Sequence, residues 1–137
     1  MVAGFVVLAL NAAAAAWGGF AWWRSDPSVG FWYVLRAAQA AVVVQSVLGG
    51  VLVASGEDAP DGLHLFSGVT PLFISLVSEG MRVSAAQLEL EGVEDVDALE
   101  RREQVLIARR VVLREMAIMT VGALMIVTLT LRASGIF

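Results

Sequence analysis

Long runs of apolar residues constrain this chain more than any other feature of its sequence. A helix needs about 20 residues to cross the hydrocarbon core of a bilayer, which is roughly 30 Å thick. Apolar runs of this kind cover residues 2–23, 31–53, 63–78 with an extension, and 111–131. We therefore predict an all-α polytopic membrane protein, in which residues 1–137 form a single domain, an antiparallel bundle of four transmembrane helices.

The composition narrows the function classes. Hydrophobic residues make up 58% of the chain and charged residues 16%, whereas soluble domains are about 45–50% apolar and about 25% charged. With no cysteine and one histidine, the chain excludes disulfide scaffolds, thiol catalysis, iron–sulfur clusters and a multi-histidine metal site within one subunit. It also lacks a Gly-x-Ser-x-Gly motif and a phosphate-binding glycine-rich loop. The sequence thus favours a protein without enzymatic activity, and it offers no catalytic residue and no metal site.

The arginines indicate the membrane topology, that is, how the helices are threaded and on which side each connection lies. All nine basic residues are arginine, and eight of them lie at or near the first and third connections, with Arg132 on the opposite side. Basic residues concentrate on the cytoplasmic side of membrane proteins. We therefore predict a multi-pass protein of the bacterial inner membrane with both termini outside. Nucleic acid is not an expected partner, because the arginines alternate with acidic residues between Glu89 and Glu103.

Helices three and four are predicted to continue beyond the bilayer as a helical hairpin at about 81–110. Gly92 is predicted to interrupt the helical structure between them, and the next helix is predicted to begin at Asp97. The Asp97 carboxylate would cap that helix, with Glu100 three positions later in a pattern like a capping box. The uninterrupted helix that follows is longer than a bilayer core requires. We expect this hairpin to project into the cytoplasm.

One face of the third helix is polar or small along its whole length. Its residues recur at steps of three and four, with His64 and Arg82 at the two ends, which places them on one side of a helix. This polar stripe consists of Gly68, Pro71, Ser75 and Ser78. Two interpretations stay open: close packing against other helices, and the lining of a cavity for a ligand or cofactor. Pro71 would bend the helix at mid-membrane under either one.

Ionisable residues gather near the cytoplasmic edge of the predicted bilayer. They lie within one or two helical turns of the same depth on helices two, three and four. This inner-edge cluster comprises Arg36, Glu79, Arg82, Arg114 and Glu115. Because an unpaired charge in a membrane is costly, we expect ion pairs that fix the register of the helices. A site for an anion or a lipid headgroup is the alternative.

Three amide side chains interrupt the first two apolar runs. They are Asn11, Gln39 and Gln45. An amide in lipid needs a hydrogen-bond partner, so we expect these side chains to bond between helices.

His64 has three candidate roles: a haem ligand, a proton carrier, and an interfacial residue paired with Asp61. Residues 45–68 carry Gln-x-x-x-Gly-Gly in the second run and Leu-His-Leu-Phe-Ser-Gly at the start of the third. This stretch resembles half of a haem A synthase-like four-helix unit, which implies a haem b bound through His64. A half-unit of that family has two haem-related histidines, and His64 alone matches here. The resemblance therefore implies a haem shared by two chains or completed by a methionine. As a whole, the chain resembles small uncharacterised actinobacterial four-span membrane proteins.

Two hypotheses for the function follow. The first is a non-catalytic accessory, assembly or interaction subunit without a cofactor. It would use the hairpin or a lateral helix face to form a homo-oligomer or to join a larger membrane complex within the lipid bilayer. The second is a b-type haem or quinone-associated electron-transfer protein centred on His64. The sparse chemistry and the charged hairpin favour the first hypothesis.

Overall fold

The computed structural model describes residues 2–56 and 62–135, and for residues 62–67 it describes the backbone alone. Four α-helices lie in these ranges: α1 is Val2–Trp23, α2 is Val29–Ala54, α3 is Gly62–Leu90 and α4 is Arg101–Ala133. No strand occurs in the described part of the chain. Each predicted apolar run falls inside one helix, and the all-α prediction is confirmed.

Three helices have the length and the apolar composition that a membrane crossing needs. They are α1, α2 and α4, as judged over the described residues. The prediction of a membrane protein with transmembrane helices is confirmed to this extent. α3 is of comparable length but carries Glu79 and Arg82 as well as the polar stripe. A fourth crossing by α3 stays a prediction.

Each helix packs against two others. α1 and α3 both contact α2 and α4, and the contact between α3 and α4 is the most extensive. Along this contact, Ile74 of α3 shares an apolar cluster with Ile126 of α4. Two turns later, Arg82 of α3 donates a hydrogen bond to Glu115 of α4. The partners on α4 therefore come earlier in the sequence as α3 proceeds.

Two apolar clusters fill the interior. One is built from Val7, Val42, Ile74 and Ile126, one residue from each helix, so all four helices meet there. The other involves α1, α2 and α4, and its largest member is the fully buried Phe31. Lipid tails are as apolar as these side chains, so in a membrane such contacts stabilise the bundle through close packing.

Glycines allow α4 to approach two other helices closely. A Cβ atom at Gly18 of α1 would overlap the Thr120 hydroxyl of α4. A Cβ atom at Gly122 of α4 would overlap the Ser78 hydroxyl of α3. Because small residues let helix backbones approach and pack closely, α4 is held tightly on both of these sides.

The turn between α1 and α2 is short and internally bonded. Ser25 adopts a left-handed conformation with φ of 53°, and the Asp26 N–H donates to the Ala21 carbonyl at 2.9 Å, which closes α1. Ser28 then caps α2, because its Oγ accepts a hydrogen bond from the first turn of that helix. The same Oγ accepts from the Trp17 indole Nε1 at 3.1 Å, which ties the start of α2 to α1.

The predicted start of the fourth helix is wrong. α4 begins at Arg101 with Glu100 as its N-cap, and the Glu100 side chain makes no capping hydrogen bond. Asp97 is not a cap. Its backbone N–H donates to Asp95 Oδ1 at 3.0 Å, a local bond of the kind that competes with helix formation.

The connection between α3 and α4 is closed by one glutamine. α3 ends at Leu90, and Gly92 follows with φ of 86°, which agrees with the break predicted there. The Gln104 Nε2 of α4 reaches back and donates to the carbonyls of Val96 at 2.9 Å and Leu99 at 3.2 Å. These bonds hold the connection against the first turn of α4.

Candidate functional site

Glu79 is the centre of the inner-edge cluster. Its Oε1 accepts hydrogen bonds from Arg36 Nη1 and, at 2.8 Å, from Gln39 Nε2, both on α2. Its Oε2 accepts from Arg82 Nε at 2.9 Å. Arg36 Nη1 also donates to Gln39 Oε1 at 2.7 Å, so these side chains form one network. Both oxygens of the carboxylate are therefore occupied by donors from the protein itself.

Arg82 joins three helices. Besides its bond to Glu79 on its own helix, its Nη1 donates to Glu115 Oε1 of α4 at 3.2 Å. Its guanidinium carbon lies 5.7 Å from the centroid of the Trp32 ring on α2, a cation–π distance. The Glu115 side chain is 14% exposed and the Arg82 side chain 24%, so the pair is largely covered by protein.

The charges of this network balance. Two arginines, Arg36 and Arg82, meet two carboxylates, Glu79 and Glu115. An external anion would have to displace a carboxylate that is already hydrogen bonded. Of the two interpretations of the cluster, the contacts favour ion pairs that fix the register of α2, α3 and α4.

Arg114 lies outside this network, although the sequence grouped it with the other four residues. Its Nη1 donates to Glu89 Oε1 of α3 at 2.5 Å, and this second ion pair also joins α3 to α4. Sequence reasoning missed Glu89, and it did not connect Gln39 with the cluster. The spacing of residues in the sequence could have indicated both. Glu89 follows Arg82 by two helical turns, and Gln39 follows Arg36 by one, which puts each on the face of its neighbour.

The polar stripe packs against other helices along its described part. Pro71 and Ser78 are buried, and Gly68 and Ser75 are half-buried. The Gly68 carbonyl accepts a hydrogen bond from Ser46 Oγ of α2 at 3.1 Å. The side chain of His64, at one end of the stripe, lies outside the described residues, so its role as a haem ligand stays a prediction.

A small cavity adjoins this stripe. Its volume is about 10 Å³, and its lining includes Asn11, Gln39, Ser75 and Ser78. A space of this size suits about one water molecule, which needs two to four polar partners. The described part of the stripe therefore favours helix packing over the lining of a cofactor cavity.

The amides behave in three different ways. Gln39 bonds between helices as predicted. Asn11 does not, because its Nδ2 donates to the Val7 carbonyl of its own helix at 2.8 Å. The Gln45 Oε1 is buried without a hydrogen-bond partner among the described residues, as is the hydroxyl oxygen of Thr120.

An open apolar groove runs between α1 and α4. We call it the lateral groove, and its volume is about 760 Å³. Its lining residues are Ala12, Ala15, Ala16, Gly19, Trp22 and Trp23 of α1 with Thr120, Val121, Leu124 and Val127 of α4. Sequence reasoning missed this surface, although the small residues of α1 recur at steps of three and four.

One hydrogen bond shows how far α4 extends past the turn between α1 and α2. Arg109 Nη2 donates to the carbonyl of Ser25, in that turn, at 2.7 Å. Residues 101–108 of α4 therefore extend beyond the ends of α1 and α2. Exposed apolar side chains occur on this end of the α3–α4 pair: Leu88 is 61% exposed, Val105 56% and Leu106 51%.

Two further findings concern identity. Among the described residues, no group of three or more histidine, aspartate and glutamate side chains is placed to hold a metal ion. No protein-family model, curated protein or solved structure matches the chain.

Proposed function

We propose that this chain is a non-catalytic accessory, assembly or interaction subunit of the bacterial inner membrane. It would form a homo-oligomer or join a larger membrane complex. The observation that carries the proposal is the exposed apolar surface at the projecting end of α3 and α4. We call this the hairpin surface, and it consists of Leu88, Val105 and Leu106.

The threading belongs to the same proposal: a four-span antiparallel bundle with both termini outside and the hairpin in the cytoplasm. The α3–α4 contacts support it, because partners on α4 come earlier as α3 proceeds. The short turn between α1 and α2 supports opposite directions for those two helices. The concentration of arginines at this end supports its cytoplasmic placement.

The hairpin surface lies where water replaces lipid under this threading. An apolar side chain that faces lipid is in a favourable environment, whereas one that faces water is not. Burial of a leucine or valine against a partner stabilises a complex by about 1.5–3 kcal/mol for complete burial. Arg101 and Arg102, with acidic residues of the connection, would supply a polar rim around such a contact.

The charged groups elsewhere support a non-catalytic role. Glu79, Arg82 and Glu115 are hydrogen bonded to one another, with both Glu79 oxygens occupied. A general acid or base needs access to a substrate proton at hydrogen-bond distance. These side chains already use their hydrogen-bonding atoms to bind other side chains of the protein.

The threading is tested with reporters of sidedness. A reporter inserted at Gly92 is expected to be active in the cytoplasm, and one fused after Phe137 is expected to be active outside. Cytoplasmic activity of the second fusion would overturn the threading and, with it, the placement of the hairpin in the cytoplasm.

The interaction is tested with the full chain in lipid nanodiscs and in cells. We expect a photo-crosslinker at Leu106 to give a discrete product, either a dimer of this chain or an adduct with a membrane protein. The double variant Leu88→Glu/Val105→Glu should lose that product. The variant Val2→Glu, which places a single glutamate at an exposed apolar position at the other end of the bundle, should keep it. A chain that is monomeric and gives no crosslink would contradict the proposal.

A further inference from the structure

The lateral groove is almost wholly apolar and is open at the surface of the bundle. Alanines and a glycine form its α1 wall, and Val121, Leu124 and Val127 form most of its α4 wall. A Cβ atom at Gly19 would lie 3.9 Å from Thr120 Cγ2, which is an ordinary van der Waals distance. The middle of the groove therefore has room for an additional atom. Such a channel along two membrane helices has the shape and polarity of an acyl-chain site.

Aromatic and basic residues lie at one end of the lateral groove. Trp22 and Trp23 line it there, and Arg24 follows them directly. Indole rings favour the headgroup level of a bilayer. The Arg109 guanidinium lies at the same level, because it donates to the Ser25 carbonyl at 2.7 Å. Arg110 is its neighbour, about three helical turns before the groove-facing part of α4 along one face.

These arginines have no ion pair among the described residues. Arg24 contacts the Phe20 ring at 5.6 Å, and Arg109 donates to a backbone carbonyl. Arg110 is exposed. The acidic residues nearest in the sequence are Asp26 in the turn and Glu103 and Glu115 on α4. Glu115 is paired with Arg82, and neither Asp26 nor Glu103 forms an ion pair in the described part of the chain. The groove therefore ends in net positive charge.

We propose that the lateral groove binds an anionic phospholipid. One acyl chain lies between α1 and α4, and the phosphate is held by Arg24 and Arg110 beside Arg109. The charge at the end of the groove is the argument for this occupant, because a second apolar helix would leave the three guanidinium groups without a counter-ion. The proposal is independent of the hairpin surface.

Binding of the lipid headgroup by the arginines is tested by native mass spectrometry of the full chain in detergent. The probes are palmitoyl-oleoyl phosphatidylglycerol and the phosphatidylcholine with the same chains. We expect the anionic lipid to be retained more strongly. The variant Arg24→Gln/Arg110→Gln should lower its affinity by about thirtyfold, which corresponds to two arginines near a lipid surface. The matched variant Arg101→Gln/Arg102→Gln removes the same charge beyond the groove and should change the affinity little.

Binding of the acyl chain is tested by substitutions that fill the lateral groove. Gly19→Leu places a side chain in the open space, and Gly4→Leu adds the same side chain where no atom lies within 4 Å. We expect Gly19→Leu to reduce retention of both lipids and Gly4→Leu to leave it unchanged. Unfolding temperatures of the two variants verify that the bundle remains intact.

Three outcomes would overturn the proposal. The first is equal retention of the anionic and the zwitterionic lipid. The second is an equal loss of affinity in the two double-arginine variants, which would show that total charge matters and the groove does not. The third is a dimer that Gly19→Leu dissociates, which would assign the groove to a second copy of this chain.

Discussion

The arginines of this protein fall into two groups with opposite surroundings. Arg36 and Arg82 lie where α2, α3 and α4 meet, and each donates to Glu79. Arg24 and Arg110 lie on the side of α1 and α4 and have no ion pair among the described residues. The four side chains carry the same charge, so the difference lies in whether a carboxylate is packed beside them. Paired arginines hold helices to one another, whereas unpaired ones keep their capacity for a ligand from outside.

The largest effect is expected from removing the shared carboxylate. Glu79→Ala leaves Arg36 and Arg82 without their common acceptor. The free energy of unfolding should fall by about 2–3 kcal/mol, between the ranges for an exposed and a buried pair, because the Arg36 side chain is half exposed and Glu79 is partly exposed. Thermal unfolding in detergent, followed by circular dichroism, measures the change.

Two control variants sharpen the contrast. Glu94→Ala removes an exposed carboxylate in the connection and should cost less than about 0.5 kcal/mol. Arg24→Ala removes one cation–π contact and should cost about 0.5–1 kcal/mol. If all three variants melt at the same temperature, the two groups of arginines do not differ in their structural role.

The next effect concerns the packed side of α4. Gly122→Leu forces a side chain into the space occupied by Ser78 and should lower the free energy of unfolding by about 1–3 kcal/mol. Gly49→Leu is the matched control, because no atom lies within 4 Å of a Cβ there. Unfolding by a denaturing detergent distinguishes the two. Similar stability of both variants would mean that α3 and α4 do not pack closely at this point.

A smaller effect, this time an increase in stability, is expected at the turn between α1 and α2, next to the unpaired Arg24. Ser25 holds a left-handed conformation that costs an L residue about 1–2 kcal/mol, and glycine adopts it without strain. Part of that gain is offset by the greater freedom of glycine in the unfolded chain. Ser25→Gly should therefore raise the free energy of unfolding by about 0.5 kcal/mol.

Ser134 supplies the control for this change, because it follows α4 with φ of −83°. Ser134→Gly should lower stability by a few tenths of a kcal/mol, since it adds freedom to the unfolded chain without relieving strain. A loss of stability in Ser25→Gly as large as that in Ser134→Gly would refute the assignment of strain to the turn.

The last expectation is the absence of an effect. If paired charges and an open groove are the main chemistry of this chain, the purified protein should show no Soret band, and His64→Ala should leave its absorption spectrum unchanged. A stoichiometric band that shifts on reduction, persists in Ser75→Ala and disappears in His64→Ala would establish the haem hypothesis instead.

The positions of the helices could be predicted because the information is local. An apolar run of about 20 residues specifies a helix in a membrane whatever it packs against. The run predicted at 2–23 coincides with α1, and Gly92 follows the end of α3 as its permissive backbone suggests. The start of α4 could not be placed from the sequence, because Asp95 and Asp97 can bond to the backbone outside a helix as well as cap one.

The partners of side chains depend on rotation and reach, which the sequence does not specify. Depth alone placed Arg114 with Glu79, but the long Arg114 side chain extends along α3 to Glu89. The lateral groove depends on how far α1 and α4 stand apart above Gly19, which no single helix determines. Lateral surfaces of a bundle are thus the features that sequence patterns predict least.

The position of Glu79 in the chain has a consequence for biosynthesis. Chains emerge from the ribosome N-terminus first, so α1 and α2 are complete before α3 follows. Arg36 and Gln39, which donate to the Glu79 carboxylate, are therefore already present when that residue is added to the chain. Glu115, the second acceptor of Arg82, comes later with α4. Packing of the third helix is thus prepared by the second, and the fourth helix completes an arrangement in which the Glu79 carboxylate already has partners.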